Sequence, residues 1–195
     1  MSKGRTRFTS VVFLADPAAA WGLASDRAVI EPMIADRRLS SISLQPWHRA
    51  ALNSWLGDCS IGSNALEEEK KISAATGSWP LLLEQFRGLI VTGGMNWQAA
   101  LENLRRQLND PGLRPTYLEA FGLKQALPGK VLKSMVDLGG AASMEVLTGL
   151  VDVVSRQECE AAFYWADRLT LIQPGLTSGE WVVDPVVQDL LKADG

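Results

Sequence analysis

Few side chains in this sequence have the type and spacing for chemistry. Cys59 and Cys159 are the two cysteines and His48 is the single histidine. The cysteines form neither a CxxC redox pair nor a zinc spacing, so both read as reduced thiols, with Cys159 in a core. One histidine cannot build a His-rich metal site, and His48 has no Ser or Cys triad context. Two Xaa-Pro pairs remain. Trp79-Pro80 lies in "ATGSWPLLLEQF", Ala75 to Phe86, and Asp184-Pro185 in "WVVDPVVQDLL". Proline at a first helical position leaves no N–H unpaired and offers a rigid ring face. The helix N-terminus beside it offers free N–H groups and positive dipole to an anion. Trp79-Pro80 therefore reads either as plain packing or as a joint that closes over a nucleotide.

A nucleotide enzyme would need more than that joint. No G-x-x-x-x-G-K-[ST] occurs; "LPGKVL" has one glycine and no hydroxyl after Lys130. No strand ends in paired acids, and Asp16, just before Pro17, reads as a helix cap. Phosphoryl transfer requires a phosphate cradle and magnesium ligands. The chain is therefore not expected to hydrolyse ATP alone. It carries no metal motif, no triad and no pair of catalytic carboxylates.

The elements that must position these residues follow from the apolar pattern. The 195 residues are 47% hydrophobic and 21% charged, ordinary for one large or two small globular domains. No apolar run approaches the ~20 residues of a membrane span, and "MSKGRTRFTS" is not a signal peptide, so a cytoplasmic protein is expected. "SVVFLADP", Ser10 to Pro17, reads as a buried strand followed by a short helix. Pro32 opens another short helix toward Arg37, and "LSSISLQP" reads as a second short strand. Helices are then expected over Trp47–Leu56, from an Asn64 cap to Gly77, from Pro80 to Gly93-Gly94, over Trp97–Leu108 and over Thr116–Leu123. A boundary near Leu127-Pro128 divides the chain into 1–127 and 128–195. Beyond it come helices at Pro128–Leu138, Ser143–Val153 and Arg156–Leu169, the last opened by a Ser155/Glu158 capping box. "LIQPG" and "EWVVD" make two short strands, and Pro185–Ala193 is a closing helix. The expected fold is mainly α: a helical lid-like bundle with a short strand remnant, then a winged helix-turn-helix.

This order resembles the C-terminal part of a STAND or related AAA+-type P-loop ATPase. "SVVFLADP" resembles a late core strand, and "SISLQPWHRAALNSWL" the entry to the helical lid. "ATGSWPLLLEQF" resembles the lid's GxP motif, with one extra residue between Gly77 and Pro80. "WVVDPVVQDLL" resembles the winged helix's MHD motif, with Asp184 at its aspartate and Val183 where the histidine would stand. The resemblance implies contact of Gly77, Trp79 and Pro80 with adenine, and gives Asp184 two alternative roles, phosphate sensor or helix cap. It also implies that Arg37 or Arg38 could reach a γ-phosphate or a neighbouring subunit. The simpler account of those two arginines is a solvated pair complementing a helix end. The chain would then be a non-catalytic regulatory portion of a longer ATPase, with ATP or ADP held by a core upstream or in a partner.

Charge argues against the winged helix as a DNA reader. From Pro128 onward five Lys or Arg stand against ten Asp or Glu, a net of −5 within a chain of net −3. The wing loop "PGLTSGE" has no basic residue. DNA affinity begins with phosphate neutralisation, so DNA is not the expected partner. Tyr164 and Trp165 are the candidates for a protein contact, and a stand-alone adaptor is the alternative to the ATPase portion.

Overall fold

The computed structural model describes residues 20–22, 26–38, 46–59, 65–124, 126–150 and 155–192. The two expected strands at 10–17 and 39–44 and the Asn64 cap lie outside these residues. The described chain is mainly helical with one small antiparallel sheet.

Residues 20–22 are helical, and α1 spans Arg27–Ala35. Pro32 sits inside α1 rather than opening it. The helix is already under way at Arg27, so proline removes one backbone donor within a short helix without starting a new one. α2, Arg49–Asp58, is capped by His48, whose Nδ1 accepts the Ala51 N–H at 3.2 Å. The lone histidine thus has a local backbone role. α3 (Ala65–Thr76), α4 (Pro80–Val91) and α5 (Trp97–Asn109) follow. Asn96 caps α5 through the Ala99 N–H at 2.9 Å, as the sequence suggested. α6 runs over Arg114–Ala120, two residues ahead of its expected start, because Pro115 is accommodated in its first turn.

The expected division near residue 127 falls in the first turn of α7, Ala126–Asp137. Pro128 lies in that first turn, where its missing N–H costs no helical bond. After α7 come β1 (Ala141–Ser143), α8 (Met144–Leu150), α9 (Arg156–Arg168), β2 (Ile172–Pro174), β3 (Glu180–Val183) and α10 (Pro185–Lys192). β3 lies between β1 and β2, antiparallel to both, with Ala142 opposite Trp181 and Gln173 opposite Val182. Residues 126–192, which carry this three-stranded antiparallel sheet, form what is termed the winged half, and the described residues before them the helical half. β1 is an addition to the sequence reading, which placed Ser143 at a helix start. Ser143 ends the strand, and its Oγ accepts the Val146 N–H at 3.3 Å, so one residue serves both elements.

One contiguous core runs through both halves, from Leu52, Ile72, Leu82 and Phe86 to Met135, Leu147 and Leu190. Packing of α10 explains the continuity. It lies against α7 within the winged half and against α3 and α6 of the helical half. Val186, Val187, Leu190 and Leu191 are all buried, so this short helix is apolar on both flanks.

Candidate functional site

The residues singled out at the two Xaa-Pro helix starts meet in the folded chain. α3 ends in a joint of two successive left-handed residues, Gly77 at φ 58° and Ser78 at φ 57°. Glycine adopts this conformation freely, but serine does so at a cost. Ser78 is buried and held from three sides. Its N–H donates to Thr76 Oγ1 at 3.1 Å, its Oγ bonds Ser73 Oγ at 2.9 Å, and its carbonyl accepts the Trp47 N–H at 2.9 Å. Thr76 Oγ1 in turn donates to the Ile72 carbonyl at 2.8 Å. These bonds offset the strain and fix the direction in which Trp79 leaves the joint.

Gly77 is required here by space as well as by φ. A Cβ at this position would stand 2.7 Å from Trp79 Cδ1, 2.9 Å from Trp79 Nε1 and 3.3 Å from Val186 Cγ2. The Trp79 indole therefore lies over the glycine and beside the first turn of α10. Its other neighbour is Phe121, edge-on at 5.1 Å between ring centroids. Pro80 occupies the first position of α4 and remains half-buried.

Asp184 closes the cluster from the winged half. Its Oδ1 accepts the Val186 N–H at 2.9 Å and, longer, the Val187 N–H at 3.4 Å, which caps α10. Its own N–H donates to the Leu171 carbonyl at 2.9 Å. Burial pushes the carboxyl above the usual carboxylate range. The two backbone amides and the Trp79 indole N–H act against that rise, and Asp189 adds to it. The indole N–H favours the charged carboxylate without reaching the geometry of a full hydrogen bond. At the other end of α10, the buried Arg114 donates from Nε to the Leu190 carbonyl at 2.9 Å, across from α6. Sequence reasoning missed Arg114 and Val186. "NDPGLRP" read as a connector, and nothing in it marks its arginine as buried.

Asp184 is acidic and engaged with α10, and Gly77 is covered by the Trp79 ring. Pro80 is half-buried at the first position of α4. Arg37 and Arg38 are exposed in the turn after α1, Arg37 with φ 55°. Trp165 is a core residue at 1% exposure, edge-on to Trp21 at 6.5 Å. Tyr164 is the member of that pair that reaches the surface, half-buried beneath the Arg168 guanidinium at 5.2 Å. Burial raises the pKa of both free thiols, Cys59 and Cys159. Among the described residues, no three His, Cys, Asp or Glu are grouped to hold a metal, and no helix is long and apolar enough to cross a membrane. Comparison with protein-family models, with curated proteins and with solved structures finds no match for this chain.

Proposed function

We propose that this chain is the non-catalytic lid and winged-helix regulatory portion of a P-loop ATPase, coupling nucleotide state to protein interaction or assembly. One observation carries the reading: the start of α4, with Gly77, Trp79 and Pro80, adjoins the start of α10, with Asp184. In the resemblance these are the two places that respond to bound nucleotide, and they belong to different halves of the chain. The phosphate cradle and magnesium ligands would come from an ATPase core, in the same polypeptide or in a partner. Pro80 would offer its ring to the base. Asp184 would act through the cap of α10 and its contact with Trp79.

The exposed side of α9 supports a protein contact over a DNA contact. Arg156 is paired with Glu160 at 3.1 Å, and Arg168 lies over Tyr164. Each cation has a partner along the helix, and the half carries excess acid. A second reading, a stand-alone adaptor, is favoured by the wing, where Leu176 is fully exposed at the tip.

The test begins with the native polypeptide, blotted from its source cell and immunopurified, with bound nucleotide measured after denaturation. The reading predicts either a band well above 21.2 kDa or a 21.2 kDa chain that brings down a P-loop ATPase. It also predicts nucleotide in that sample, lost about tenfold in Trp79→Ala and Pro80→Ala variants that still fold. A nucleotide-free 21.2 kDa product with no ATPase partner would contradict it and leave the adaptor.

A further inference from the structure

We propose that α4 is a pairing surface for a second copy of this chain, the two helices lying antiparallel about a two-fold axis at Phe86. This inference stands apart from the ATPase reading, because the contact is made by protein alone and its test needs no nucleotide.

α4 buries one face, through Leu82, Leu83 and Phe86. Its other side carries Leu81, Glu84, Gly88 and Val91, at the 3-4-3 spacing that aligns residues in one stripe along a helix. Leu81 is 42% exposed and Val91 66%, so both ends of the stripe present large apolar side chains to solvent. Gly88 stands between them, and the chain itself gives no reason for a glycine there. It is helical, and outside its own helix a Cβ built on it would meet nothing within 4 Å. Glycine inside a helix is destabilising relative to alanine. A bare position on an exposed stripe is where another chain can approach closely. Charge supplies the direction. Glu84 and Arg87 are both exposed and pair along the helix at 3.2 Å. In an antiparallel pair centred at Phe86, Leu81 faces Val91 of the second copy and Glu84 faces Gly88 of the second copy. The Glu84 side chain then lies over that bare glycine, beside Arg87 of the second copy. The two-fold repeats these contacts, so the stripe is complementary to itself in shape and charge. A parallel pair would set Glu84 against Glu84, a like-charge contact that disfavours it. α4 is about 18 Å long, too short to bury the ~1,200–2,000 Å² of a standard interface. The pair is therefore weak and forms at high concentration.

Sedimentation velocity on the full chain, from about 1 to 500 µM, tests the pairing. Wild type is expected to pass from monomer to dimer with a Kd of about 10–100 µM. Gly88→Gln fits the free chain, where the space beside Gly88 is empty, and puts a side chain under Glu84 of the second copy. It should weaken the dimer at least about tenfold while circular dichroism and thermal unfolding remain those of the folded chain. Glu84→Arg meets Arg87 of the second copy with its own charge and should also weaken the dimer about tenfold. Adding Arg87→Glu should restore it to within about threefold of wild type. An unchanged dimer in Gly88→Gln, or no rescue by the charge swap, would place association on another face and overturn the proposal. A chain that stays monomeric at the highest concentration would overturn it as well.

Discussion

Ser155 and Glu158 cap α9 in the open, whereas Asp184 caps α10 inside the seam between the helical and winged halves. At α9 the Ser155 N–H donates to Glu158 Oε2 at 2.8 Å and the Glu158 N–H donates to Ser155 Oγ at 3.2 Å. The Ser155 hydroxyl, donating to Glu158 Oε2 at 2.7 Å, and then the Ser155 N–H hold the exposed Glu158 carboxyl below the usual range. At α10 the same kind of oxygen-to-amide bonding is present, yet burial dominates and the Asp184 carboxyl rises. The chemistry of the cap is alike; its surroundings reverse the sign. The cap of α9 serves its own helix. The cap of α10 sits where two halves meet, so its charge state is linked to the seam. The same contrast runs through the rest of the two helices. On α9, Arg156 pairs with Glu160 along the helix; on α10, the C-terminal carbonyl of Leu190 is satisfied from the other half.

Substitutions can break or sharpen this contrast, and the largest effect belongs to the far end of the seam. Arg114→Ala removes a buried guanidinium that bonds the Leu190 carbonyl, and is expected to cost about 1.5–3 kcal/mol in denaturant unfolding. Next comes Asp184→Ala, which removes the α10 cap and should cost about 0.5–2 kcal/mol. Asp184→Asn keeps an oxygen acceptor and removes the charge, so it isolates the pH effect. A buried acid with a raised folded pKa contributes its full stability below its unfolded value, near 3.8, and loses it as pH rises through the folded pKa. Wild type should therefore lose stability relative to Asp184→Asn as pH climbs above about 4. Glu158 behaves oppositely. Its contribution is present above the unfolded carboxyl pKa and is lost as pH falls through the lowered folded one. Ser155→Ala should cost about 1 kcal/mol and affect α9 alone. Arg156→Ala, which opens an exposed pair, should change stability by no more than about 0.5 kcal/mol.

Local chemistry was the part of this molecule most legible in its sequence. Asn96, Ser155 with Glu158, and Asp184 each cap the helix their spacing announced, because a cap is decided by residues within one turn. The two-stranded wing was readable from "LIQPG" and "EWVVD" for the same reason. β1 was not, since Ala141, Ala142 and Ser143 have no strand periodicity and become a strand only by pairing with β3. Pro32 misled because proline marks a helix start more often than it sits within one. At the site, Trp79, Pro80 and Asp184 were legible one by one. That Trp79 and Asp184 meet was not, because their contact depends on where α10 packs. Trp165 carried no mark distinguishing it from its neighbour Tyr164; the packing of α9 into the core decides which of the two is buried.

The central claim is that the α3–α4 joint and the start of α10 act as one unit. A double-mutant cycle on folding stability with Trp79→Phe and Asp184→Asn, measured at neutral pH, tests it most directly. The account predicts that the two changes are non-additive, with a coupling of at least about 0.5 kcal/mol. Additivity within about 0.3 kcal/mol would show that the two residues are independent neighbours, and would contradict the claim.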